Sequence, residues 1–153
     1  MVRAMISTVR LQKYESLARS LASIFSKDTS TQVGALIIGP AGETMPGYNG
    51  APRGCAADEP GDRRSERPEK YFWFEHAERN AIYNAARRGL ATEGCSMVVT
   101  HPPCMDCARG IVQAGIVSVA WPLPSPEFAE RWAEHAGRVL RLFGEGGVEW
   151  TIL

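Results

Sequence analysis

Two short segments constrain this chain more than anything else in it: His76-Ala77-Glu78 and Pro103-Cys104-Met105-Asp106-Cys107. Together they read H-x-E … P-C-x-x-C, and the chain is predicted to be organised around them. One imidazole and two thiolates are a donor set that suits a divalent zinc. Three protein ligands, His76, Cys104 and Cys107, leave the fourth tetrahedral position to water, as a catalytic zinc requires. Glu78 is not needed as a ligand. A carboxylate beside such a water can take its proton and hand it to a leaving group. The alternative is a closed structural zinc knot completed by Cys55, Cys95, His101 or His135. None of those four sits in a second close ligand pair of the kind structural sites use.

The chain has 153 residues, enough for one domain, residues 1–153, that buries a core without disulfide staples. Lys+Arg and Asp+Glu both number 17, so the formal net charge is zero. That argues against a grip on polymeric nucleic acid, which needs a basic surface, but not against a small anionic ligand held by a few cations. Two of the four cysteines fall in C-x-x-C beside a histidine motif, which predicts metal thiolates in a reducing compartment rather than disulfides. The N-terminus carries early arginines without a long apolar run, so no signal peptide is expected. No stretch approaches the ~20 apolar residues of a membrane span. The expected location is cytoplasmic.

Apolar residues at Leu11, Tyr14, Leu17, Ala18, Leu21, Ala22 and Phe25 recur at three and four, predicting a helix over residues 9–25. Residues 33–38 read as a buried strand ending in the Gly39-Pro40 turn. Residues 43–48 can return antiparallel, although Pro46 and Gly47 interrupt the strand pattern. Residues 49–68 read as a long loop, solvated in its distal half. A helix over 75–88 ends at Gly89 and puts His76 in its first turn, with Asn80 one turn on. Residues 96–100 form a strand, and 104–114 a helix with both cysteines in its first turn, where the helix dipole favours thiolate. A strand over 116–121 follows. Ser125 caps a helix that starts at Pro126 and runs to about Phe143, and 148–153 is a last strand. The order α-β-β-α-β-α-β-α-β implies a three-layer α/β/α domain with a mixed five-stranded sheet.

The signature H-x-E … P-C-x-x-C is that of zinc nucleobase deaminases. The chain resembles the cytidine deaminase superfamily and, within it, the deoxycytidylate (dCMP) deaminase branch. Residues 26–35, Ser-Lys-Asp-Thr-Ser-Thr-Gln-Val-Gly-Ala, resemble that branch's helix-to-strand segment. Residues 47–55, Gly-Tyr-Asn-Gly-Ala-Pro-Arg-Gly-Cys, resemble its G-Y-N-G-x-P-R-G loop. His76-Ala77-Glu78-Arg79-Asn80-Ala81-Ile82 extends the zinc motif in the same style, and the likeness runs over about residues 11–119.

This resemblance implies a cytidine-deaminase-like fold with one catalytic Zn2+ and hydrolysis of dCMP to dUMP and ammonia. Glu78 would act as base and then as acid, serving N3 and the departing ammonia. The Ala77 N–H would hold the 2-oxo group, and the Pro102 carbonyl would accept from the 4-amino group. Asn49 would meet base or sugar, or else be a turn residue of Tyr-Asn-Gly. Asn80 would contact ligand, or else be a helix amide satisfied by backbone. Ser26, Lys27 and Arg53 are candidates for a phosphate. Arg63, Arg64 and Arg67 read better as a solvated face than as a clamp. The aromatic run Tyr71-Phe72-Trp73-Phe74 reads as core or subunit interface.

Relatives in the branch are oligomers, hexamers or dimers, and many respond to dCTP with Mg2+ and to dTTP. The segment 47–54 makes such regulation an expectation here. No second zinc site is expected, since Cys55 stands alone and Cys95 reads as a buried thiol. The charged stretch 56–70 departs from the branch and keeps another amino-heterocycle open as substrate: a nucleoside, guanine or a modified cytosine nucleotide. A nucleic-acid editor and a non-catalytic zinc protein are the remaining alternatives. Neutral charge speaks against the first and Glu78 against the second.

Overall fold

The computed structural model describes residues 6–55 and 62–153. Its five strands are β1 (Gly34–Ile38), β2 (Thr44–Tyr48), β3 (Ser96–Val99), β4 (Ser118–Trp121) and β5 (Glu149–Ile152), in the sheet order β2-β1-β3-β4-β5. β1 pairs antiparallel with β2 and β3, whereas β3, β4 and β5 run parallel. The helices are α1 (Thr8–Phe25), α2 (Lys70–Trp73), α3 (Ala77–Arg87), α4 (Met105–Gln113), α5 (Pro126–Arg131) and α6 (Ala133–Gly146).

Every residue of β1 and β3 is buried, as expected of central strands covered on both faces. On one face Ile38, Val98 and Ala120 meet Leu11 and Tyr14 of α1. On the other, Ala35, Ile37, Met97, Val99 and Val119 pack against the alanines of α3, Ala108 and Ile111 of α4, and Val139 and Phe143 of α6. The three-layer α/β/α architecture and mixed five-stranded sheet read from the sequence are therefore what forms. Ser7 caps α1, its Oγ accepting from the Arg10 N–H at 3.4 Å.

Gly47 explains why a strand tolerates so poor a local sequence as Thr44-Met45-Pro46-Gly47-Tyr48. A Cβ there would lie 2.2 Å from the Ala77 carbonyl oxygen and 2.3 Å from the Ala81 nitrogen, so only glycine lets α3 lie on β2. Pro46 is tolerated because β2 is an edge strand.

Four expectations need correction. His76 is not within the first turn of α3 but is its N-cap, with extended backbone (φ −80°, ψ 154°). It follows Glu75, which is tied to Gly50 by a pair of backbone hydrogen bonds of 2.8 and 3.1 Å. The single helix expected from Pro126 to Phe143 is two helices. It breaks at Trp132, whose ψ of 13° leaves the helical range as its ring settles between Phe128 and His135. Of the two readings of the aromatic run, core and subunit interface, core holds only for the buried Phe74, since Tyr71, Phe72 and Trp73 are exposed (Phe72 by 81%). A one-turn helix on the surface can bury only one of its sides. Finally, residues 63–65 of the expected loop form a 3-10 turn capped by Asp62. Residues 56–61 of that loop lie outside the described residues. Among the described residues no helix is long and apolar enough to cross a membrane.

Candidate active site

The site is assembled from two helix N-termini. That of α3 is docked on β2 by Gly47 and by two amides: Asn80 Nδ2 donates to the Tyr48 carbonyl at 2.8 Å and Asn84 Nδ2 to the Pro46 carbonyl at 2.7 Å. Glu75 adds a clamp, its Oε1 accepting from the His76 N–H at 3.0 Å and from Arg79 Nε at 2.6 Å. At the N-terminus of α4, Cys104 is the N-cap and Cys107 lies in the first turn. The Met105 N–H, left without an intrahelical acceptor, donates to His135 Nδ1 at 2.9 Å.

These two ends bring His76 Nδ1 to 3.5 Å from both Cys104 Sγ and Cys107 Sγ. All three ligand atoms lie within 4.8 Å of one another, and among the described residues no other group of three could hold a metal. A tetrahedral zinc with Zn–S of about 2.3 Å and Zn–N of about 2.0 Å has N···S edges of about 3.5 Å, which both N···S distances match. The closed knot does not form. His101 and His135 spend Nδ1 on Thr100 and Met105 respectively, and Cys95 approaches the Ala91 carbonyl.

Hydrogen bonding to Cys107, opposed by burial and aided by His76, holds the Cys104 thiol down to about 4. The same bond and burial push the Cys107 thiol up. The hydrogen bond to Cys104 raises His76. Glu78 is 3% exposed, and burial raises its carboxyl above the usual range, against the pull of His76. It stands beside the ligand trio without joining it.

Among the described residues, one cleft opens onto His76 and Cys104 of this trio. Its floor is His76, Ala77, Glu78, Pro102 and Cys104. It is further lined by Asp28, Thr31, Val33 and Asn49, by Arg67, Lys70, Tyr71 and Phe74, and by His101, Phe128, Arg131 and Trp132.

The zinc-binding region of cytidine and deoxycytidylate deaminases matches residues 8–122. The chain belongs to that deaminase family. It is 42% identical over 133 residues to the uncharacterized deaminase in the luxG 3′ region of Aliivibrio fischeri, covering 87% of this chain and 86% of that protein. It is 43% identical over 98 residues to the deoxycytidylate deaminase of Homo sapiens, covering 61% of this chain but only 54% of that protein. The deaminase thus spans about half the length of the mammalian relatives it matches. The fold is shared with the dCMP deaminase of cyanophage S-TIM5 solved with dCMP and dUMP, at a TM-score of 0.75 and 24% identity over 97% of this chain and all of that one.

Within the deaminase, the predicted residues divide sharply. His76, Glu78, Ala77, Pro102, Cys104 and Asn49 all reach the cleft. Ser26, Lys27, Arg53, Asn80 and the fully buried Cys107 do not line it. Ser26 Oγ lies 2.7 Å from Asn49 Oδ1, Arg53 is bonded to Asn84, and Asn80 is spent on Tyr48. Lys27 is exposed on the outer surface.

Asn49 is buried with its amide fully engaged. Oδ1 meets Ser26 Oγ and the Val33 N–H, and Nδ2 donates to the Thr31 carbonyl and, at 3.2 Å, to Asp28. Asp28 in turn holds Lys70 Nζ at 2.6 Å, both side chains buried, with Ser30 Oγ at 2.6 Å from the same ammonium. Burial would raise Asp28, but Lys70 and the N–H groups of Ser30 and Thr31 outweigh it and lower the carboxyl.

Lys70, Asp28, Phe128, Arg131 and Trp132 were not singled out from the sequence. For the last three a signal was present: with Ser125 as cap, positions 128, 131 and 132 fall at i, i+3 and i+4, one helical face.

Proposed function

We propose that this deaminase hydrolyses dCMP to dUMP and ammonia. The observation that carries the reading is a buried carboxylate, Glu78, beside an open three-ligand site in a cleft whose walls carry Arg67, Lys70 and Arg131. A zinc held by His76, Cys104 and Cys107 would supply a Lewis acid that lowers the pKa of water in the site towards ~7. Glu78 takes one proton from the water that attacks C4 and delivers it to N3, then carries the second proton, from the new hydroxyl at C4, to the amine. The C4–N bond then breaks, ammonia leaves and a carbonyl remains at C4. A carboxyl raised by burial suits both halves of this transfer, because proton exchange is most effective when its pKa approaches the working pH. The first N–H of α3, on Ala77, has no helical acceptor and lies at the cleft floor, where it can hold the 2-oxo group. Asn49, locked by four partners, shapes the wall in its resting arrangement rather than offering a loose amide.

The 5′-phosphate falls to Arg67 and Arg131, with Lys70 supporting from the buried pair. Arginine presents a planar fork to phosphate, and only a few such contacts suit a mononucleotide in a chain of zero net charge. The enzyme is read as cytoplasmic, since its catalytic thiolates need reducing surroundings. It is read as a homo-oligomer, which the exposed Phe72 and Trp73 support. The segment 47–54 supports control by dCTP with Mg2+, and a dCTP titration at low dCMP that leaves the rate flat refutes it.

Ammonia release from dCMP, CMP, deoxycytidine, cytosine, adenine and guanine, with Glu78→Ala as blank, tests the whole. Release from dCMP alone supports the reading. Release from guanine or a free nucleoside instead replaces the substrate and keeps the reaction.

A further inference from the structure

His101 lines the cleft, yet neither the metal site nor the proton transfer uses it. Its geometry is set from β3 outward. Thr100 Oγ1 accepts from the Gly34 N–H at 3.0 Å, and its remaining contact is His101 Nδ1 at 3.2 Å. With Oγ1 already accepting from Gly34, donation of the hydroxyl proton to Nδ1 satisfies the hydroxyl, and this assignment puts the imidazole's own proton on Nε2. The ring is held against Phe128, centroids 4.8 Å apart. Burial, with the charges of Arg19 and Arg131, pushes His101 down to about 4, so the ring is neutral at working pH. Among the described residues Nε2 has no acceptor within the protein. Arg131 lines the same cleft and is close enough to act on its charge.

We infer that the Nε2–H of His101 donates to a phosphoryl oxygen of the substrate beside Arg131, and so helps the cleft prefer a 5′-nucleotide to the free nucleoside. This rests on the nucleotide reading above. The donor is preset, because Thr100 fixes the tautomer and Phe128 the ring plane, and no proton need be taken up for it to act. A neutral donor adds direction to the charge that Arg131 supplies. It also leaves no buried cation behind when product departs.

The test is steady-state kinetics on dCMP and deoxycytidine with the zinc-loaded enzyme and its variants His101→Gln, His101→Asn and His101→Phe. Glutamine places an amide N–H near the position of Nε2. Asparagine and phenylalanine do not, although phenylalanine keeps the stacking on Phe128. A hydrogen bond to a charged acceptor predicts that H101N and H101F raise KM for dCMP and erode the preference for dCMP over deoxycytidine by roughly 10–100-fold. The effect should fall on KM rather than kcat, and H101Q should recover most of it. If H101F melts early or loses zinc, the comparison of H101N with H101Q decides. A KM for dCMP within about twofold of wild type in H101N overturns the inference, as does an equal rise for dCMP and deoxycytidine, which would place the donor on the sugar. Wild-type enzyme that turns over deoxycytidine but no nucleotide refutes the nucleotide reading itself, and the inference with it.

Discussion

Replacing Gly47 with alanine tests whether the closeness of β2 and α3 sets the active site. The new Cβ would stand 2.2 Å from the Ala77 carbonyl oxygen and 2.3 Å from the Ala81 nitrogen, both backbone atoms that cannot rotate away. Carbon and carbonyl oxygen rest at roughly 3.3 Å, so the first turn of α3 must retreat by about 1 Å. Overpacking of this kind costs about 1–3 kcal/mol, which at this size lowers Tm by roughly 2–12 °C. The same displacement carries Ala77 and Glu78 with it, and a misplacement of about 1 Å is worth ~100-fold in rate. Thermal melts and dCMP kinetics on G47A should show both the loss of Tm and the larger loss of kcat/KM. A G47A enzyme with wild-type kcat/KM would refute the reasoning.

Glu78→Gln should abolish turnover while metal analysis still finds one zinc per chain; turnover near wild type would remove Glu78 from the proton transfer. Cys104→Ala should lose metal and activity together, since two protein ligands hold zinc poorly, and full zinc occupancy in that variant contradicts the ligand set. Lys70→Met leaves the buried Asp28 carboxylate without its cation and should cost about 3–5 kcal/mol by urea unfolding, an unchanged midpoint being the contrary result. His101 is lowered from 6.5 to about 4 in the folded chain, so its contribution to stability is full above pH 6.5 and is lost as pH falls towards 4. Between pH 7 and 4 the wild type should therefore lose about 3 kcal/mol relative to H101F, and parallel unfolding curves at both pH values would contradict it.

What could be read from the sequence was what is local. The helical spacing of Leu11 to Phe25, the β-branched run ending at Gly39, and the Ser125-Pro126 start each depend on neighbours within a turn or two, and the structure keeps them. The zinc motif was legible because its spacings are short within each half, and the helix ends do the rest. What escaped depends on distant partners. Lys70 looks like a surface lysine until Asp28, 42 positions earlier, is seen beside it. Ser26 and Arg53 have the right chemistry for phosphate but are turned to Asn49 and Asn84 by the packing of the elements that carry them. The break at Trp132 leaves no mark in helix propensity, because tryptophan is an acceptable helical residue and only the aromatic neighbours draw it out.

α5 buries none of its residues, yet with Trp132 it supplies one wall of the cleft. A segment without an anchor in the core opens at little cost, so its amides should exchange with solvent deuterium long before those of α3, whose alanines are sealed against the sheet. Occupancy of the cleft then supplies the anchor the sequence withholds, and slows exchange over residues 126–132 by the same factor as it favours the closed wall. For this enzyme, substrate binding and the folding of one short helix are linked, and the coupling between them can be measured from either end.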